Sequence, residues 1–322
     1  MAARTEMSSY LSLVEASNTC TEEALRDDHL YRLYLPFDDQ AHGLLLPSVV
    51  AMIPWTYAFK ISHDVKRVEV LDSSNGKETS AVVNRAFAEI INICLEADMF
   101  SILRGKTGSE DWRAMIGTKY PVKMYRYAQP LFGYVGQGVH LTAYTRKDGA
   151  MKLWIPRRGA TVDSDPNMLD NTAAGSVPAG MSILDAMVDE ADEEASLPRE
   201  LVRSKAQPAG VVSYISPLGR GDGDEPNMII PDVIYVYDIE LPEGLIPKPR
   251  HEYDWEVKEF YLMDIEEVNC RLFNQEFKPN CALVLIDFFV RHGIITPSND
   301  HEYALLNLRL RRHLPLNMTL SS

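Results

Sequence analysis

From about Leu131 onward the chain alternates short β-rich runs with helical segments, and this alternation constrains the fold more than any other feature. Gly138-Val139-His140-Leu141-Thr142-Ala143-Tyr144 and Met151-Lys152-Leu153-Trp154-Ile155 read as two strands joined by a turn at Lys147-Asp148-Gly149. A Gly-containing loop at 173–180 follows, then a helix over 182–195. Three β-rich runs at 209–216, 232–240 and 257–263 precede an apolar helix over 280–292. Strands wrapped around helices in this order predict an α/β fold, an α/β/α sandwich. The Gly-Asp-rich stretch at 218–227 lacks calcium-loop spacing and reads as a solvated loop.

The first part has a different character. Residues 79–98 place Val82, Ala86, Ile90, Ile91 and Cys94 near one face of an amphipathic helix. β-rich runs at His29–Leu35 and Val65–Leu71 flank a Pro-punctuated apolar stretch from Leu44 to Trp55, which predicts a smaller α+β unit. The expected division is therefore 1–130 for an N-terminal α+β domain and 131–322 for the sandwich. No phosphate-cradling G-x-x-x-x-G-K-[ST], H-E-x-x-H or internal repeat is present.

Charge narrows the function classes. With 46 acidic and 32 basic residues the formal net charge is -14, which argues against sequence-independent binding to nucleic acid or to an anionic membrane. Phosphate-bearing substrates stay open, because a divalent cation reverses the local field inside a cleft. The four cysteines, Cys20, Cys94, Cys270 and Cys281, form no C-x-x-C pair and stand without histidines at metal-like spacing, which fits a reducing compartment. No apolar run approaches the roughly 20 residues of a membrane span, and the opening residues lack the order of a secretory signal. A cytoplasmic protein without stable membrane association is expected.

The chemistry concentrates in residues 175–197. Ser182 is placed to cap the helix, with Asp185 three residues on as its capping-box partner. Ile183, Met187, Ala191 and Ala195, with Leu184 and Val188 beside them, form the stripe expected to be buried. Glu190, Glu193 and Glu194 fall on another face at i, i+3 and i+4, where like charges repel by roughly 0.2–0.5 kcal/mol per pair. A hard divalent cation that takes those oxygens as ligands turns the repulsion into a site.

This segment resembles the Nudix box, G-x5-E-x7-R-E-U-x-E-E-x-G-U with U a bulky aliphatic residue. Gly175 matches the first glycine, Glu190 the glutamate after the arginine, Glu193 and Glu194 the paired glutamates, and Leu197 the last aliphatic, without a gap. The departures are Met181 for the first glutamate, Asp189 for the arginine, Ala191 for the inner aliphatic and Ser196 for the second glycine. The resemblance implies a mixed sheet and a Mg²⁺ (or Mn²⁺) cofactor held by Glu190, Glu193 and Glu194, which are also the catalytic residues. The joint loss of the first glutamate and the arginine removes an ion-pair brace and leaves the ligands.

Further segments are similar to a eukaryotic Nudix subfamily related to thiamine pyrophosphokinase. They are Trp112-Arg113, Tyr120-Pro121-Val122, Leu131-Phe132-Gly133, Leu153-Trp154-Ile155 with Arg157-Arg158, Met168-Leu169-Asp170-Asn171 and Lys278-Pro279-Asn280-Cys281-Ala282. That similarity implies hydrolysis of thiamine diphosphate, or of its damaged oxo and oxy forms, to the monophosphate and phosphate. Prenyl or nucleoside diphosphate derivatives and a degenerate phosphate-binding module are the alternatives. Arg157 and Arg158, with Gly175, are the substrate-binding candidates, and because neighbouring strand residues point oppositely, one arginine is expected to be structural. Glu256 is the candidate further metal ligand, with Glu259 beside it, while His140 reads as a satisfied strand histidine. Tyr144, Trp154 and Trp255 are candidate stacking residues. The leucine- and arginine-rich segment at 301–316 reads as a packing helix over a domain or homodimer interface.

Overall fold

The computed structural model describes residues 9–25, 29–104, 111–147, 149–162, 164–218, 228–250 and 255–319. Asp148 of the expected turn and all but Leu218 of the expected loop at 218–227 lie outside the described residues.

The chain opens with α1 (Tyr10–Ser17), β1 (Tyr31–Tyr34), β2 (Ala41–Leu45), α2 (Pro47–Met52), β3 (Phe59–Ser62), β4 (Arg67–Val70) and α3 (Thr79–Glu96). The four strands form a sheet in the order β2-β1-β4-β3, with β1 parallel to β4. Against it α3 lays Val83, Ala86, Phe87, Ile90, Ile91 and Cys94. The buried face is therefore the expected one, shifted at its start, since Val83 is wholly buried and Val82 only half. β5 (Trp112–Ala114) and β6 (Lys123–Tyr125) pair with each other, and α4 (Gln129–Phe132) leads into the second unit.

That unit contains β7 (Gly136–Lys147), β8 (Ala150–Arg158), β9 (Ala173–Ser176), α5 (Ile183–Ala195), α6 (Arg199–Lys205), β10 (Gln207–Leu218), β11 (Met228–Glu240), β12 (Val257–Asp264), α7 (Ile265–Phe273), α8 (Pro279–Arg291) and α9 (Tyr303–Arg309). Its sheet runs β10-β11-β7-β8-β12, with β9 also on β7. β7 is parallel to β11 and antiparallel to β8 and β9, so the sheet is mixed. Because side chains alternate along a strand, Val139, Leu141 and Ala143 face α5, while Leu153, Ile155, Ile234 and Val236 pack with α8 on the opposite side. This is the predicted α/β/α sandwich.

The neighbour of β7 changes along its length: β9 borders Gly138–Leu141, and β8 borders Tyr144–Lys147. In the fork Thr172 stands in for the ladder. Its hydroxyl accepts from the Ala143 N–H at 2.8 Å and donates to the Trp154 carbonyl at 2.7 Å. The expected loop at 173–180 is thus a strand in its first half. Two short helices, α6 and α7, had no sequence expectation, because seven and nine residues show too few turns for a periodic signal.

Packing crosses the 130/131 division at both chain ends. Leu13 and Val14 of α1 belong to the core around α8, whereas Leu314 and Leu316 pack with Leu30 and Leu44 of the first unit. Asn317 Nδ2 donates to the Gly117 carbonyl at 2.6 Å. In α9, Leu306 is buried within the second core and Leu308 faces outward, 71% exposed. Among the described residues no helix is long and apolar enough to cross a membrane.

Candidate active site

A cavity of about 680 Å³ lies over the β7 face that carries Gly136, Gly138 and His140, beside the fork. Glu190, Glu193, Glu194 and Glu256 line one end of it.

The helix that presents the first three starts where predicted. Ser182 Oγ accepts from the Asp185 N–H at 3.1 Å. Asp185 does not complete the expected capping box, because its carboxylate accepts from the Ser182 hydroxyl at 2.6 Å and pairs with Arg203. The buried positions of α5 are Ala186, Met187, Val188, Ala191 and Ala195, with Ile183 and Leu184 half-buried. This orientation turns Glu190 and Glu194 onto β9.

The Glu190 carboxylate rests on Gly175, where a Cβ would overlap it. Glu194 accepts from the Ala174 N–H at 2.8 Å. Burial, and then the charges of Glu193 and Glu256, push the Glu190 carboxyl up to about 7, partly opposed by Arg126 and Arg113. Burial and then Glu190 raise Glu194 well above its ordinary value, against the opposing Ala174 N–H. Glu193 is exposed at the rim. The site thus concentrates carboxylates whose charged forms are disfavoured by one another and by their surroundings.

This donor set fits a hard divalent cation: it is all oxygen, it lines one cavity, and a positive charge would favour the ionised forms of Glu190 and Glu194. As the side chains stand, no three carboxylate, histidine or cysteine groups among the described residues are gathered closely enough to hold one. Closure around a cation would take side-chain movement, led by the exposed Glu193.

The other sides of α5 are neutralised directly. Asp185 pairs with Arg203 at 2.6 Å, Asp192 with Arg250 at 2.5 Å, and Asp189 with Arg199 of α6. The position that carries an arginine in the Nudix box therefore carries an acid here, and its ion-pair partner comes from the following helix. Met181 is half-buried beside the apolar core under α5. Ser196, at the box's second glycine, takes the left-handed conformation with φ 51°, which glycine adopts without strain.

The two candidate arginines separate as strand alternation requires. Arg158 lines the cavity and is held by Asp170 at 2.7 Å and by the Ser164 carbonyl. Arg157 does not line it. Its guanidinium donates to the Asn167 carbonyl at 2.7 Å and to Tyr261, so the substrate-binding expectation for Arg157 is corrected to a brace between strand and loop. Glu256 lies on the rim, whereas Glu259 pairs with its neighbour Lys258 at 3.7 Å.

Of the three aromatic candidates, only Trp255 lines the cavity. Tyr144 packs edge-on against Phe288 and His292, and Trp154 is buried in the core under α5. His140 does face the cavity. Its Nδ1 lies 2.6 Å from Asn171 Oδ1, and burial pushes it down to about 4, so it is neutral near pH 7. The amide of Asn171 is oriented by its donation to the Cys281 carbonyl.

Sequence reasoning missed an entire wall. Arg113, Arg126, Tyr127 and Gln129, all before the expected division, line the cavity. Arg113 donates to Ser176 Oγ at 2.8 Å and pairs with Asp111, while Arg126 lies 3.4 Å from the same aspartate. The only local signal was the Trp112-Arg113 pair. Lys278, Asn280, Tyr214 and Asp232, which also line the cavity, were unforeseen as well.

A mixed-sheet α/β/α sandwich, with a loop-helix element presenting a glutamate cluster to a cleft at its edge, defines a Nudix-type protein. The chain belongs to the Nudix superfamily. It is 38% identical over 203 residues to Nudix hydrolase 20, chloroplastic, of Arabidopsis thaliana, covering 60% of this chain and 51% of that protein. Nudix hydrolase 24, chloroplastic, of the same plant is 36% identical over 203 residues, covering 60% of this chain and 52% of its own. An uncharacterized protein of Saccharomyces cerevisiae is 36% identical over 223 residues, covering 67% of this chain and 64% of its own. The chain thus spans between 51% and 64% of the length of these relatives. No family model matches it.

Proposed function

We propose that this protein is a divalent-metal-dependent hydrolase of a small organic diphosphate, acting on thiamine diphosphate or its oxo and oxy analogues. The observation that carries the reading is the division of one cavity into a glutamate end, with Glu190, Glu193, Glu194 and Glu256, and flanking cations Arg113, Arg126 and Arg158. The first set suits a Mg²⁺ or Mn²⁺ ion, and the second suits the oxygens of a diphosphate.

The cation would be held by Glu190, Glu193 and Glu194, with Glu256 as a further ligand. When bound, it supplies charge neutralisation at the phosphoryl oxygens and acidifies water for attack. The chain's own residues do the rest. Gly175 lets the Glu190 carboxylate approach the backbone, and the Ala174 N–H orients Glu194. Arg158, aimed by Asp170, and Arg113, aimed by Asp111 and Ser176, present guanidinium groups that need no reorientation to meet phosphate. Water adds across the phosphoanhydride, so one ester and one water give the organic monophosphate and phosphate. On this reading residues 1–130 and 131–322 are two units sharing one active site.

The test is a panel of thiamine, nucleoside and prenyl diphosphates with Mg²⁺ and with Mn²⁺, read as free phosphate and by mass spectrometry of the organic product. The expected result is the highest kcat/KM for a thiamine-type diphosphate. Phosphate ligands bound without turnover under either metal would make the protein a binding module instead. We place it in the cytoplasm on its free thiols; a fluorescent fusion checks this against the chloroplast, to which the names of the Arabidopsis relatives refer.

A further inference from the structure

The cavity's second end has its own construction. On β11, Asp232 accepts from Gln129 Nε2 at 2.9 Å and from the Tyr214 hydroxyl at 3.1 Å, and its carboxylate packs over Gly136, where a Cβ would overlap it. Asn280 Nδ2 lies 3.3 Å from the same Tyr214 hydroxyl. Each carboxylate oxygen still has a lone pair for another donor.

Beside this network stands Lys278, just ahead of α8. Its side chain is half-buried and lines the cavity. Burial opposes its charge, but Asp170, with Cys281 and Asp165, together outweigh burial and hold the ammonium above its ordinary value. Among the described residues that ammonium makes no hydrogen bond and no ion pair. A part-buried ammonium with three unmet donors gains when something in the cavity accepts from it.

The distance between the ends suits one elongated molecule. Glu190 rests on β9 and Asp232 stands on β11, with β7 between them. At ~4.8 Å per strand the separation is about 10 Å. Gly138 floors the span, with nothing closer than 3.4 Å to a Cβ placed there. Ile234 adds an aliphatic side chain beside the polar group. A hydrocarbon tail laid here would desolvate Lys278 and Asp232 and offer them nothing in return.

We propose that this end is the specificity subsite of the diphosphatase reading, on which it rests: Lys278 donates to an acceptor atom, and Asp232 accepts from a donor atom, of a polar heterocycle. The enzyme therefore takes diphosphates of hydrogen-bonding rings and rejects those of hydrocarbon chains.

The full-length protein, Lys278→Met and Asp232→Asn are compared on thiamine diphosphate, geranyl diphosphate and inorganic diphosphate, with melting temperatures and metal-free calorimetry of thiamine diphosphate alongside. Lys278→Met keeps length and apolar stem, and Asp232→Asn keeps shape, so the pair guards against a variant that fails to fold. Each is expected to lower kcat/KM for thiamine diphosphate about 10- to 100-fold, the scale of one hydrogen bond to a charged group. Inorganic diphosphate, which has no organic end, falls far less, and geranyl diphosphate is unchanged or improved. An equal fall on all three substrates, or no fall on any, overturns the subsite. If the unaltered protein releases phosphate from none of them, the hydrolase reading fails by itself. Calorimetry then still decides the subsite, since the same fold-weakening supports it and unchanged affinity overturns it.

Discussion

One helix, α5, carries two kinds of acid on two faces. Asp185, Asp189 and Asp192 each meet an arginine from α6 or from position 250. Among the described residues Glu190 and Glu194 meet no arginine in direct contact, and they are pressed against β9 instead. The electrostatic result is opposite in sign. The Ser182 hydroxyl and then Arg203 hold the Asp185 carboxyl below its ordinary value, whereas burial and like charge lift Glu190 and Glu194. The first face is neutralised by the protein itself, while the second is where, on the proposed reading, a cation would be held. Equal spacing on a helix therefore says little about role until the partners are known.

The largest effect that would break this contrast is on turnover. Glu193→Gln and Glu194→Gln should each lower metal-dependent hydrolysis by at least about a hundredfold, the scale for removing a key electrostatic group. Near-normal rates in both would place the glutamates with the aspartates as solvated surface. Next comes Gly175→Ala. The added Cβ displaces the Glu190 carboxylate, so we expect a loss of about tenfold or more in kcat, a misplaced ligand being costlier than its volume suggests. Unchanged kinetics would show that Glu190 need not sit on β9.

Carboxyl-carbon NMR on metal-free protein sharpens the contrast further. Asp185 should titrate below 3.8 and Glu190 near 7. The signs follow for stability. Asp185, depressed on folding, contributes stability present above its unfolded value and lost as pH falls through its folded one. Glu190, raised on folding, contributes stability present below 4.5 that is lost as pH rises towards 7. Overlapping titrations would erase the distinction between the faces.

The smallest effect belongs to the paired face. Asp189→Ala removes a solvent-screened ion pair with Arg199, so it should change stability in chemical unfolding little and leave kcat within a few fold. Asp189→Arg alone should raise nothing, because it sets a second guanidinium beside Arg199. A marked gain in activity from that variant would mean that the box is decayed rather than rewired.

The strands, the hairpin, the capped helix and the glutamate register were legible in the sequence because each depends on near neighbours. Period two, period 3.6 and a capping serine are local facts. The spacing of Glu190, Glu193 and Glu194 follows from helix geometry alone, and the rule that only one of Arg157 and Arg158 can face the cleft follows from strand alternation. Which one does so was not local, since it depends on how β8 registers against β12 and on where Asp170 and Asn167 fall in the loop after it. The same holds for Arg113 and Arg126, brought in from the first unit, and for Asp232 and Lys278, which line one cavity from β11 and from the start of α8. Only tertiary structure decided these, because a buried charge is defined by the partners that long-range packing places, or fails to place, beside it.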